Sequence, residues 1–297
     1  MTAPPGNLAD RPALAAPAAD LLSELLRSVR LSGDRIGRYA PEGAFSVGFG
    51  GVGSLHVVEE GEVALRLDGD SRDVRVGQGD FVLLPRGDAH HVSDVAGAGR
   101  PPRWLCGSFT IADPQASHLL GSLPPLIVLR GADGGVPEGL EVARRMLLIE
   151  MQEPSQGSAV MIARILDLVF IQIMRTWAAG PDAEPNWLAG AFDPQIGPAL
   201  SAIHRDPCHD WTVEELARVC SLSRSAFAAR FVARVGKPPG TYLAHVRLDA
   251  ATCLLRDTLL PITHVAERVG YESEAAFSRA FKNRYGMPPA RWRRGTR

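Results

Sequence analysis

Three side chains of metal-binding type lie on separate stretches of the first half of the chain: His56, His90 and Cys106. His118 or His91 is the candidate fourth donor. Imidazole and thiolate suit zinc in a tetrahedral site, so His56, His90, Cys106 and His118 form a candidate zinc set. The competing reading is a barrel without metal that keeps the same residues in its core. Taken alone, Cys106 is a candidate redox-sensing thiol, because oxidation follows thiolate character and access. The remaining cysteines, Cys208, Cys220 and Cys253, sit at helical or turn positions where packing is the default. No CxxC occurs, which fits reduced thiols in a cytoplasmic protein. The last third of the chain offers different chemistry. Arg279 can donate two hydrogen bonds to guanine, Glu274 can accept from cytosine, and an alanine can touch a thymine methyl.

The elements that would present those groups follow from an internal repeat. Segment LARVCSLSRSAFAARFVARVGKPP starts at Leu216, and VAERVGYESEAAFSRAFKNRYGMPP starts at Val265. Ala217 matches Ala266, Phe227 matches Phe277, Phe231 matches Phe281, and Gly236 matches Gly286. Each unit has helix-turn-helix logic. Thr212 to Glu215 fits a capping box, and Ser223 and Ser273 are good N-caps for the second helix of each unit. Gly270 suits a turn with positive φ, whereas Ser221 holds that place in the first unit. With the paired phenylalanines inward, a period of 3.6 turns Arg224, Ser225, Ala228 and Ala229 outward in unit one. It turns Glu274, Ala275, Ser278, Arg279 and Lys282 outward in unit two, toward a major groove. Unit one is poor in long polar groups and should read fewer bases. Lys237, Lys282, Arg284 and the arginines of residues 291–297 suit phosphate contact or solvated charge. A helix over Pro239–Asp257 would span about 27 Å. That brings the units near the separation of one DNA turn, about 34 Å.

The candidate zinc residues need a different scaffold. Glu62–Leu67 alternates, Phe81–Leu84 is an apolar strand ended by Pro85, and Trp104–Ile111 is another strand. Short strands with Gly-rich turns predict a barrel or sandwich. Helices should follow near Glu138–Met151 and Ser158–Trp177. The second is apolar around most of its circumference, so an ordinary core helix and a dimer interface are both open readings. It carries Arg164, Asp167 and Arg175, which argues against a membrane span. The N-terminus lacks the basic start and apolar run of a secretory signal.

Length of 297 residues with 45% hydrophobic and 22% charged residues suits about two globular domains and excludes a disordered or disulfide-stapled chain. The charge is split. From Asp193 onward there are 16 Lys and Arg against 10 Asp and Glu, while the preceding residues hold 16 against 23. A basic third on an acidic body points to nucleic acid as a partner. The expected organisation is a flexible tail over 1–19, a sensor and dimerisation domain over 20–180, a linker over 181–194 and a DNA-binding domain over 195–297. The fold class is α+β with two domains, a β-barrel with flanking helices and an all-α domain with two helix-turn-helix motifs.

The C-terminal motifs LAxxxxLSxSxFxxxF and VAxxVGYESExAFSRAFKxxxGxPPxxW resemble the AraC/XylS family of transcription regulators over about Gln195–Arg294. That resemblance implies seven helices and two recognition helices, the second starting near Ser273. Gly79–His90 resembles the second cupin motif, G-x5-P-x-G-x2-H, with His90 pointing inward. The first cupin motif is partial: Ser54 stands in one histidine place, His56 matches the other, and Glu60 is the candidate carboxylate. Leu55–Glu62 and the Leu105–Gly107 strand extend the likeness over about Asp34–Pro125. The resemblance implies a one-component, sequence-specific transcriptional regulator rather than an enzyme. Its implied partners are promoter DNA, RNA polymerase, a second copy of the chain and a small-molecule or redox effector. The competing class is a cupin metalloenzyme with an added DNA-binding domain; the missing histidine at Ser54 counts against it.

Overall fold

The computed structural model describes residues 21–23, 31–97, 99–111, 121, 123–131, 136–180 and 184–295. The tail over 1–19 and His118 lie outside the described residues, as does most of the helix expected over Asp20–Val29, of which 21–23 are helical.

Two antiparallel sheets build the N-terminal region. One runs β1 (Leu31–Tyr39), β8 (Arg103–Ile111), β3 (Gly53–Glu60), β6 (Phe81–Leu84) and β9 (Ile127–Leu129). The other runs β2 (Ser46–Phe49), β7 (His90–Asp94), β4 (Glu62–Leu67) and β5 (Val74–Gly77). Strand alternation sorts the side chains into two layers. Val58, Val82, Trp104 and Cys106 pack with Val63, Leu65 and Val92 between the sheets. Leu55, Val57, Leu105 and Phe109 face the other way, onto helices.

Those helices are α1 (Glu138–Gln152) and α2 (Ser158–Ala179). Glycine lets α2 lie almost on the strands. A Cβ on Gly33 would stand 2.5 Å from the Ala163 carbonyl oxygen, and one on Gly107 would stand 2.6 Å from Leu166 Cδ2. Asp167 Oδ1 accepts from the Gly33 N–H at 2.8 Å, satisfying the strand at a β-bulge between Gly33 and Arg35. The α2 helix buries Ile165, Leu166, Val169, Phe170, Ile173 and Met174 but leaves Val160, Met161 and Leu168 exposed.

The stretch read as a linker carries α3 (Trp187–Phe192). Asn186 caps it by accepting from the Leu188 and Ala189 N–H groups, and Trp187 and Leu188 are buried. The proline and glycine content of 181–194 masked a helix that tertiary packing holds in place. Seven helices follow: α4 (Gly197–Arg205), α5 (Val213–Val219), α6 (Arg224–Val235), α7 (Pro239–Asp257), α8 (Ile262–Arg268), α9 (Glu274–Tyr285) and α10 (Pro289–Gly295). The Thr212–Glu215 capping box is formed, and Ser223 and Ser273 accept from the Ala226 and Ala276 N–H groups. Both turns adopt the left-handed conformation, with φ of 53° at Ser221 and 81° at Gly270. Serine therefore holds in unit one a conformation that costs a non-glycine residue about 1–2 kcal/mol.

The two repeat units differ in what they are packed against. Phe227 and Phe231 belong to a core that runs without interruption through α1, α2, α3 and α4 to the outer face of the first sheet. Phe277 and Phe281 sit in a separate core made from the second half of α7 with α8 and α9.

Candidate nucleic-acid interface and barrel interior

In the barrel, β3 and β7 bring His56 and His90 together across the two sheets, Nε2 to Nε2 at 2.8 Å, both fully buried. His90 Nδ1 lies 2.9 Å from the Asp88 carbonyl, which can only accept, so Nδ1 carries the hydrogen. Burial lowers the His90 pKa and favours the neutral ring, so its Nε2 accepts from His56 Nε2–H. His56 Nδ1 is then a bare acceptor, buried without a partner. Burial, followed by the His90 neighbour, lowers the His56 imidazole to about 3. Aromatic rings line the surrounding space. Trp104 stacks between Tyr39 at 5.0 Å and Phe45 at 5.3 Å, and Phe49 contacts both imidazoles.

This arrangement is a closed pair, not an open zinc set. Two nitrogens bound to one tetrahedral zinc at about 2.0–2.1 Å stand roughly 3.4 Å apart, so at 2.8 Å the pair is closed by a shared hydrogen and would have to open to take an ion. Cys106 lies opposite His56 in the β3–β8 register. Burial pushes its thiol up to about 12, which opposes the thiolate that redox sensing requires. Glu60 faces outward and pairs with Arg103 at 3.1 Å, and His91 is exposed beside Asp68. Ser54, in the missing histidine's place, donates to the Val52 carbonyl. No three His, Cys, Asp or Glu side chains gather as a metal site among the described residues.

The helical repeat presents the expected faces. On α6, Arg224, Ser225 and Ala229 are exposed and Ala228 is half-buried. On α9, Glu274, Ala275, Arg279 and Lys282 are exposed and Ser278 is half-buried. The first outward residue of each helix is held from equivalent places in the repeat. Arg224 pairs with Glu214 of α5 at 2.8 Å, and Glu274 accepts from the Thr263 hydroxyl of α8. The two units thus open with opposite charges. Arg279 is exposed and has no such tether among the described residues.

Two acidic clamps escaped sequence reasoning. Asp193, 1% exposed, accepts from the Gln195 and Ile196 N–H groups at 2.9 and 3.2 Å and from Arg230 Nε at 2.9 Å. It also lies 3.1 Å from Arg234 Nε. Burial alone would raise its pKa, but Arg230 and the two N–H groups outweigh that and hold the carboxyl below the usual range. Asp193 thereby fastens the start of α4 to α6. On α7, Asp249 Oδ1 takes Arg284 Nη2 at 2.7 Å and the Tyr285 hydroxyl at 2.5 Å, fastening α7 to α9. Arg284, expected at a phosphate, is instead committed to this clamp. The sequence signal was only an isolated acid in a basic region.

The family model described as cupin matches residues 20–179, and the model described as helix-turn-helix domain matches residues 216–295. A candidate AraC-like transcription regulator of Streptomyces antibioticus is 33% identical over 264 residues, covering 81% of this chain and 86% of its own length. The HTH-type transcriptional regulator AlkR of Acinetobacter baylyi is 34% identical over 244 residues, covering 72% and 79%. Among solved structures, ToxT from Vibrio cholerae O395 aligns over 90% of this chain and 97% of its own, at 11% identity and a TM-score of 0.39. With a cupin-type N-terminal domain joined to a doubled helix-turn-helix, and with relatives of this kind matched across both domains, the chain belongs to the AraC family and is a DNA-binding transcriptional regulator.

Proposed function

We propose that the chain is a one-component regulator in which α6 and α9 read successive major grooves on one face of promoter DNA, and an input at the barrel region is passed to α6 through α2 and α3. The observation that carries this reading is the continuous core from β1 and β8 through α2 and α3 to Phe227 and Phe231. A shift of α2 on its glycine-smoothed seat displaces α3, and α3 is packed on α6. An effector with different affinity for the two seatings would change the population able to bind DNA. The closed histidine pair, with aromatic rings around it, favours an organic effector or a partner contact over metal or thiol chemistry.

Exposed Val142, Met146 and Ile149 on α1, at helical spacing, lie on the same helix pair as Val160, Met161 and Leu168 of α2. These side chains support a homodimer through α1 and α2. No helix among the described residues is long and apolar enough to cross a membrane. We place the protein in the cytoplasm, with RNA polymerase as its partner at the promoter.

The test is selection of binding sites from random duplex DNA, followed by reporter transcription with wild-type protein and Gly33→Val. That substitution drives a side chain into the α2 backbone while leaving both recognition faces intact. Altered operator affinity or transcription, with the helical domain still folded, is the expected result. Operator affinity and transcription that both ignore Gly33→Val and every substitution at His56, His90 and Cys106 would sink the reading.

A further inference from the structure

We propose that the hollow enclosed by the start of α3, the α6–α7 turn, α7 and the end of α9 binds a small oxyanion, a phosphate or a compact carboxylate. It has a volume of about 160 Å3, roughly ten times the space that one water needs. Its floor is apolar, formed by nearly buried Trp187 and Tyr242. Tyr242, His245 and Asp249 line it from one stripe of α7, and Lys237 enters from the turn after the left-handed Gly236.

Charge is what selects the ligand. Among the described residues Asp249 is the one carboxylate lining the hollow, and it is already saturated by Arg284 and Tyr285. Lys237 and His245 are half-buried, and neither has a hydrogen bond or ion pair among the described residues. His245 is held below its ordinary pKa, first by burial and then by the charges of Arg284 and Lys237. The site is therefore a half-buried excess of positive charge with two donors unspent, and an oxyanion supplies the missing acceptor.

The DNA backbone carries the same chemistry but fits the geometry less well. Arg284 follows Phe277 by seven residues and lies on the inner side of α9, away from Arg279 and Lys282. A free anion here would touch α3, α7 and the Arg284 clamp together. It would stiffen both reading units against each other, a second input separate from the barrel.

The sequence supplies its own probe, because Lys237 and Lys282 are its only lysines. Full-length protein carrying isotope-labelled lysine gives two side-chain signals, assigned with Lys237→Gln. Inorganic phosphate, benzoate and chloride are titrated at constant ionic strength, and duplex DNA is added in a separate arm. The expected result is a saturable shift of Lys237 with phosphate or benzoate but not chloride, while Lys282 stays still. His245→Gln should weaken it about tenfold, the loss of one charge-assisted hydrogen bond. The spectrum of the DNA-bound variant shows whether it is folded. Lys237 that follows Lys282 in every small-anion titration overturns the proposal. So does Lys237 that moves only on adding DNA, which would make it a backbone contact.

Discussion

Truncating equivalent phenylalanines in the two repeat units should have unequal consequences. Phe227 and Phe277 are both fully buried, each 5.5 Å from the second phenylalanine of its pair. Phe→Ala in such a site costs about 3–5 kcal/mol from lost transfer energy and the cavity left behind. The core around Phe277 contains only eight buried residues among those described. A unit of some fifty residues carries roughly 2.5–7.5 kcal/mol of stability at the usual value per residue. Phe277→Ala should therefore consume most of that stability and open α8 and α9 at 25 °C. Phe227 is embedded in a core that continues into α2 and the first sheet, so the same loss is shared by a much larger unit that stays folded. Hydrogen exchange resolved by mass spectrometry is the assay. Phe277→Ala should lose protection in α9 while the strands of the first sheet keep theirs. Phe227→Ala should accelerate exchange in α6, α3 and α2 together. Equal, chain-wide loss of protection in both variants would refute the two-core description, as would unchanged protection of α9 in Phe277→Ala.

Other outcomes follow from the same contacts. Asp193→Ala leaves two N–H groups and Arg230 without their acceptor and removes the ion pair to Arg234; because the arginines are 41% and 39% exposed, water recovers part of the loss. A destabilisation of about 2–3 kcal/mol in urea unfolding is expected, and a change below about 0.5 kcal/mol would show that the clamp contributes little. The His56 and His204 imidazoles are lowered to about 3 and about 4, chiefly by burial. Unfolding lets each take up a proton near its ordinary pKa, so their contribution is complete above about pH 6.5 and declines as pH falls toward 4. The decline is up to about 1.4 kcal/mol per pH unit for each ring. His204→Gln, which keeps a partner for the Tyr242 hydroxyl, should reduce the slope between pH 6 and 5, and an unchanged slope would contradict the assignment. Ile149→Glu with Leu168→Glu should convert a dimer to a monomer in sedimentation velocity without unfolding it, whereas a dimer that survives would move the interface elsewhere.

The C-terminal domain was legible because its signals are local and repeated. Thr212, Ser223 and Ser273 cap the helices their types suggested, and the period of 3.6 placed Phe277 inside and Arg279 outside. In the barrel, strand positions were readable, yet what His56 and His90 do there was not. Their bond crosses two sheets that are distant in sequence, and no spacing reveals that Asp88 fixes the tautomer. Cys106 looked reactive as a residue type, but its reactivity depends on burial, which only packing reveals. The 181–194 stretch misled because proline and glycine outweigh Trp187 and Leu188 in a local reading, although the bulk of those two side chains is what fixes α3. Asp193 and Asp249 were invisible for the same reason, since each acts through arginines more than thirty residues away.

Arg279 gives the most direct test that α9 reads bases. Binding free energies of wild type and Arg279→Ala would be measured at fixed salt on the selected operator and on every single-base-pair variant of it. A loss of about 1–3 kcal/mol on the operator, with preference erased at one base pair and kept elsewhere, is the expected result. Equal weakening on every sequence, with a shallower salt dependence, would make Arg279 a phosphate contact and contradict the assignment of α9 as the base-reading helix.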